Sequence, residues 1–146
     1  FGDRRQLSFK VIDRYFHGFV GEKFSMLDQP GPALPTLRRF IHGMIEGGLA
    51  DPQRRGCLIA NTIMELSPHE KEIAGTLRQI LTMAEDAFFR VLARAKQHGE
   101  LNDDQDPRTL ARFFTTMMQG TIVMIKAGAP AEAVHQTVET AFSILD

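Results

Sequence analysis

The chain has 146 residues, 43% hydrophobic and 24% charged, with a formal net charge of −1. Those values are those of one soluble globular domain that buries about two-thirds of its unfolded surface, and they lack the basic excess of a surface that grips nucleic acid by itself. Cys57 is the single cysteine, which excludes an internal disulfide and suits a reducing compartment.

The opening run Phe1-Gly2-Asp3-Arg4-Arg5-Gln6-Leu7 places an aromatic and a tight Gly-Asp turn directly before a helix. Asp3 and Gln6 have the spacing of a capping box, in which each side chain satisfies a free backbone N–H of the other. An aromatic ahead of such a cap packs backward, so the run reads as the continuation of a module upstream of Phe1. Leu7, Val11, Ile12, Tyr15, Phe16, Phe19 and Val20 recur at three and four and predict a helix from Asp3 to about Leu27. Asp28-Gln29-Pro30-Gly31-Pro32 ends it. A second helix starts near Ala33 or Pro35, carries Leu37, Phe40, Ile41, Met44 and Ile45, and stops at Gly47-Gly48, before a turn at Asp51-Pro52-Gln53.

A short third helix runs from Cys57 to about Leu66. Ser67-Pro68-His69-Glu70 then places a Ser cap, a first-turn Pro and a Glu three after the cap, which predicts a long helix to Gly99. Its stripe is Ile73, Leu77, Ile80, Leu81, Ala84, Phe88, Val91, Leu92 and Ala95. Asp106-Pro107 starts a fifth helix in the same way, ending near Lys126 and Gly128. Pro130 opens the last, with Val134, Val138, Ala141, Phe142 and Leu145 on one face. No useful stretch alternates as a strand does. The expectation is all-α, with six helices.

The fifth helix differs from the rest. Its charge-free run, Phe113 to Ile125, is 13 residues long, too short to cross a bilayer, which takes about 20. Leu110, Phe113, Phe114, Met117, Met118, Thr121, Ile122, Met124 and Ile125 cover most of its circumference, so it must be covered on more than one side. Gly120 costs about 1 kcal/mol of helix stability against Ala, a cost that suits close approach of another backbone. Two arrangements satisfy this. Either the helix is central in a monomeric bundle, or it pairs with the last helix across a two-fold axis to make a four-helix interface.

Three segments resemble the C-terminal regulatory domain of TetR-family transcriptional regulators, and the resemblance spans essentially the whole chain. Phe1 to Leu7 resembles the family's link out of the recognition helix, with Arg4-Arg5 where members often carry Lys-Glu. Gly56-Cys57-Leu58-Ile59-Ala60-Asn61-Thr62 with Glu65-Leu66 resembles a Gly-Cys-Leu…Asn-Thr…Glu-Leu segment of one branch. Phe113 through Gln119-Gly120 to Lys126-Ala127-Gly128 resembles the dimer-forming helix.

The resemblance implies a six-helix regulatory domain in which 1–27 is a connecting helix following an absent DNA-binding domain and 28–146 binds ligand and dimerises. It implies a cytoplasmic homodimer, without enzymatic activity or cofactor, that holds operator DNA through the missing N-terminal domain and releases it when a small apolar or aromatic effector binds. Phe113, Phe114, Met118, Ile122, Val138 and Phe142 are the expected dimer contacts. Arg4 would touch a DNA phosphate, positioning the dimer without reading sequence, or be a solvated surface charge. The alternative function is a small helical-bundle carrier or enzyme with no DNA role.

Asn61 and Glu65 share a helix face, with Thr62 beside them, and are the best polar groups for the wall of a mostly apolar cavity. In the bland alternative, Asn61 caps a neighbouring helix end and Glu65 pairs with a surface cation. Met44, Met64, Met83, Phe88 and Met117 are core residues in any reading and would adapt to a ligand in this one. Cys57 stands near a helix start beside Arg54 and Arg55, an arrangement that would favour a thiolate redox sensor, or it is a small buried hydrophobe. Glu132 and His135 form one Glu-x-x-His where a di-iron bundle needs two plus two further Glu. No metal site is expected, and no nucleophile–base pair or phosphate loop is visible.

Overall fold

The computed structural model describes residues 4–66 and 68–146, apart from the side chains of Arg4, Arg5, Ser8 and Phe19. The expected Asp3 cap and the Ser67 cap lie outside the described residues. Every regular element among those described is helical. The connecting segment comprises α1 (Arg4–Arg14), a π-helical turn (Tyr15–Val20), α2 (Gly21–Ser25) and a 3-10 turn (Met26–Asp28). It is followed by α3 (Ala33–Ala50), α4 (Leu58–Leu66), α5 (Lys71–Gln97), α6 (Pro107–Lys126) and α7 (Ala131–Ser143). Counting the connecting segment once, these are the six expected helices.

The connecting segment is less regular than its apolar spacing predicts. The Gly21 N–H donates to the Phe16 carbonyl, a bond one residue longer than the α pattern. A Cβ at Gly21 would lie 3.1 Å from that same carbonyl oxygen, so glycine is what lets the backbone close there. The second helix runs past Gly47-Gly48 to Ala50. A Cβ at Gly48 would lie 3.4 Å from Ile125 Cδ1, so this glycine admits α6 rather than ending α3. Pro68 and His69 sit in a turn, and α5 begins at Lys71, later than the Ser-Pro signal predicts.

Helix ends are satisfied by both local and distant groups. The Asp106 carboxylate accepts from the Thr109 N–H at 2.9 Å, with Pro107 in the first turn of α6. At the start of α3 no local side chain caps the helix. Glu100 does so from beyond α5, accepting from the Ala33 and Leu34 N–H groups at 2.9 and 3.0 Å. The Arg54 guanidinium donates to the Ile125 and Ala129 carbonyls at the end of α6.

Two apolar clusters result. The large one takes α3, the second half of α5, α6 and α7, and buries Leu37, Ile41, Phe88, Val91, Phe114 and Phe142 almost completely. The small one joins Ile12, Phe16 and Val20 to Ile59 of α4 and to Ile73, Leu77 and Ile80 of α5. Arg90 pairs with Asp28 at 3.1 Å and Arg94 donates to the Leu27 carbonyl, fastening the connecting segment to α5.

The expected dimer contacts need correction. Phe114, Met118, Val138 and Phe142 are 0%, 4%, 1% and 0% exposed. α3, α5 and α7 already cover them within one copy, so they belong to the core and present no outer surface. Ile122 is half-buried against the same cluster. Of the six, only Phe113 keeps an exposed side chain. Apolar spacing identifies residues that share a face of α6 but not what covers that face.

Candidate functional site

A cavity of about 760 Å3 lies between the two clusters. Its walls come from five parts of the chain. The connecting segment contributes Tyr15, Phe16, Val20, Lys23 and Phe24, and α3 contributes Met44, Gly47 and Gly48. The α3–α4 loop and the start of α4 supply Asp51, Arg55, Cys57, Leu58 and Asn61. From α5 come Ile80, Leu81, Ala84 and Phe88, and from α6 Thr115, Met118, Gln119, Ile122 and Ile125. The α6 residues are spaced at three and four, so one stripe of that helix faces inward. Met118 and Ile122, expected on the dimer surface, are on this stripe.

An aromatic triad anchors the cavity. Phe24 of α2, Phe40 of α3 and Phe88 of α5 have ring centroids 4.8–5.8 Å apart, in tilted and edge-to-face arrangements. Phe24 and Phe88 also line the space. The triad therefore joins the connecting segment, the large core and the cavity.

The expected ligand residues separate into two groups. Met44, Asn61 and Phe88 are on the wall. Thr62 is buried off the wall, with its hydroxyl donating to the Leu58 carbonyl at 2.7 Å. Met64, Glu65 and Met83 project to solvent, Met64 and Met83 being 57% and 49% exposed. Met117 packs partly buried on the large core, its sulfur accepting from the Thr121 hydroxyl. A turn of about 100° per residue separates Met117 from the Met118 face. These five are corrected: none of them lines the cavity.

Asn61 is on the wall, but both ends of its carboxamide are already used. It donates to the Arg55 carbonyl at 2.9 Å and accepts from Lys126 Nζ at 3.0 Å. It ties the α3–α4 loop to the end of α6, close to the bland alternative. Gln119 is the contrasting group. Its Oε1 is buried with no hydrogen-bond partner. Sequence reasoning passed over it as a site residue, although it is the only carboxamide in the charge-free run from Phe113 to Ile125.

Tyr15 was also missed as a site residue. Burial of its phenol, and then the Cys57 thiol beside it, push its pKa up to about 12, against a smaller lowering by the Leu58 main chain. Cys57 is half-buried on the cavity wall. The cations expected to activate it are held elsewhere, Arg54 at the end of α6 and Arg55 on Asp51. The Arg55 and Gln53 N–H groups and the Arg55 guanidinium hold the Asp51 carboxyl below the usual carboxylate range. His135 pairs with Glu46, and His42 with Glu139, so the Glu132–His135 spacing organises no site. No cluster of metal-ligating side chains occurs among the described residues. Arg4 begins α1, and its side chain lies outside the described residues.

Residues 33–141 match the family described as "Tetracyclin repressor-like, C-terminal domain". The HTH-type transcriptional regulator YezE of Bacillus subtilis is 30% identical across the whole chain, which covers 76% of that protein. The HTH-type transcriptional repressor ComR of Escherichia coli is 25% identical over 96% of the chain, covering 67% of its own length. In fold, the chain is similar over its full length to a cysteine-substituted TetR family transcriptional regulator CifR solved with operator DNA, at a TM-score of 0.87 and 22% identity, covering 76% of that protein.

The chain belongs to the TetR family of transcriptional regulators and corresponds largely to the C-terminal, regulatory part. Its relatives are regulators, not enzymes. No helix among the described residues is long and apolar enough to cross a membrane.

Proposed function

We propose that this chain is the effector-sensing and dimerising part of a repressor that binds operator DNA through a module preceding Phe1 and releases it when a small molecule enters the cavity. The division at about residue 27 follows from this: 1–27 carries the DNA module and 28–146 senses and dimerises, in the cytoplasm. The observation that carries the reading is the cavity's position. Its wall includes Tyr15, Phe16, Val20 and Phe24 of the connecting segment, so a ligand there pushes on the helix that leads to the DNA module. A dimer needs its recognition helices about 34 Å apart to enter successive major grooves, and a tilt of that segment changes the spacing. Arg4, at the start of α1, would contact a phosphate of the bound operator. The relative ComR is named as a repressor and the neighbour CifR was solved on operator DNA, which favours the same role here.

The dimer surface we infer is the outer face of α6. Phe113, Val123 and Met124 are 37%, 39% and 56% exposed, with Thr116 and Gly120 between them. That stripe bears no charge, and a Cβ on Gly120 would meet nothing within 4 Å of its own copy. The space beside Gly120 suits a second α6. Light scattering coupled to size exclusion tests this: the chain should elute as a dimer, and Gly120→Arg should give a folded monomer with unchanged circular dichroism. A wild-type monomer, or a Gly120→Arg dimer, would overturn this surface.

A further inference from the structure

We propose that the effector is an uncharged molecule with an apolar body and one hydroxyl end, and that the hydroxyl docks on Gln119. This rests on the reading of the cavity as the effector site.

The apolar body follows from the wall, where Phe16, Phe24, Ile80, Phe88, Met118 and Ile122 leave few polar groups. A space of about 760 Å3 is within the roughly 300–1,000 Å3 of small-molecule sites. Charge is disfavoured because the charged wall residues are engaged within the protein. Asp51 holds Arg55 through a bond of 3.1 Å, and Lys23 has a partner of its own. A carboxylate ligand would lose its hydration and find no uncommitted cation.

The polar end is set by the one wall carboxamide that the fold leaves unsatisfied. Asn61 has both ends bonded, whereas the Gln119 Oε1 is buried without a partner. Keeping such a group unpaired is costly, and a ligand that pairs it recovers that cost. The terminal torsion of glutamine is broad, so its carboxamide turns toward the lumen with little strain. A carboxamide accepts through oxygen and donates through nitrogen. A hydroxyl both donates and accepts, so it pairs with Gln119 in either orientation. An ether offers only an acceptor.

The chain contains one tyrosine and no tryptophan, so its near-ultraviolet emission reports on Tyr15 in the cavity wall. We would titrate the protein at neutral pH with 1-octanol, 1-methoxyoctane and octanoate, reading Tyr15 emission. Wild type should bind 1-octanol about tenfold more tightly than octanoate and roughly fivefold more tightly than 1-methoxyoctane. Gln119→Leu should abolish the octanol-over-ether preference and leave the ether's Kd within about twofold, because Leu keeps the apolar bulk. The variant should melt no lower than wild type, since it deletes an unpaired carbonyl; a lower Tm would show that Gln119 is structural. Octanoate binding as tightly as octanol, or an octanol-to-ether ratio unchanged in Gln119→Leu, would overturn the inference with the cavity reading intact. Failure of all three probes to change the Tyr15 signal would remove the cavity reading itself, and the inference with it.

Discussion

The large and small apolar clusters differ in what supports them. The large cluster is enclosed by four long helices, and α3 and α6 within it have capped ends: Glu100 at the start of α3, Asp106 and Arg54 at the two ends of α6. The small cluster rests on short α4, the first half of α5 and a connecting segment interrupted by a π turn. The cavity opens at the seam. A void between a well-fastened body and a lightly fastened arm is a place where filling moves the arm, because packed interiors resist deformation and the looser side yields. The proposed effector sensing would use that asymmetry.

Core truncations give the sharpest test of the difference. Phe142→Ala, in the large cluster, should cost about 3–5 kcal/mol, read from urea denaturation by circular dichroism. Ile12→Ala, in the small one, should cost about 2 kcal/mol, near the low end for such truncations, because the arm can settle into the space. Coincident urea transitions by circular dichroism and Tyr15 emission in both variants would mean that the two clusters form one cooperative block, and the arm would have no freedom to transmit a signal.

Much of this division was legible in the residues. Apolar spacing located every helix and placed Leu37, Phe88 and Val91 in the interior, because a three-and-four repeat reports which residues share a face. It could not report which neighbour covers that face, so Phe114 and Met118 read as dimer contacts. The cap of α3 was invisible for a related reason: Glu100 is 67 positions from Ala33, and no local rule pairs them. Asn61 and Gln119 show the same limit at the cavity. Both are carboxamides beside apolar neighbours, and only the tertiary partners Arg55 and Lys126 decide that Asn61 is satisfied. The π turn closes with the Gly21 N–H on the Phe16 carbonyl, a main-chain pairing that apolar periodicity does not encode.

The next largest effect should come from the fastening of the large cluster. Glu100→Ala removes the acceptor for two N–H groups at the start of α3 and should cost about 1–2 kcal/mol. Amide exchange should rise at Ala33 and Leu34 without a change along α1. Exchange that instead rises along α1 would mean that the cap acts on both clusters together.

Gly21→Ala probes the arm with a smaller net change. Alanine gains about 1 kcal/mol of helix propensity over glycine but sets a Cβ against the Phe16 carbonyl at 3.1 Å. The two effects oppose, so stability should move by less than about 1 kcal/mol. Relief of the contact favours the regular α pattern, which rotates the chain before it, Tyr15 included. Tyr15 emission should therefore change while the melting temperature barely does. Unaltered emission would show that the π turn does not set the position of this wall.

Alkaline titration separates the arm from the body with the least perturbation, because Tyr15 is the only tyrosine and lies on the arm's side of the seam. Its folded pKa is pushed up to about 12, first by burial and then by Cys57, while an unfolded phenol ionises near 10. Above pH 10 the unfolded chain has lost a proton that the folded chain keeps, so unfolding becomes easier as pH rises. The stabilisation from the neutral phenol is complete below pH 10 and is lost as pH passes through 12. Absorbance at 295 nm should show this step directly. If the arm opens before the body unfolds, phenolate should appear below the global transition seen by circular dichroism. Coincident steps would instead show that arm and body unfold as one unit.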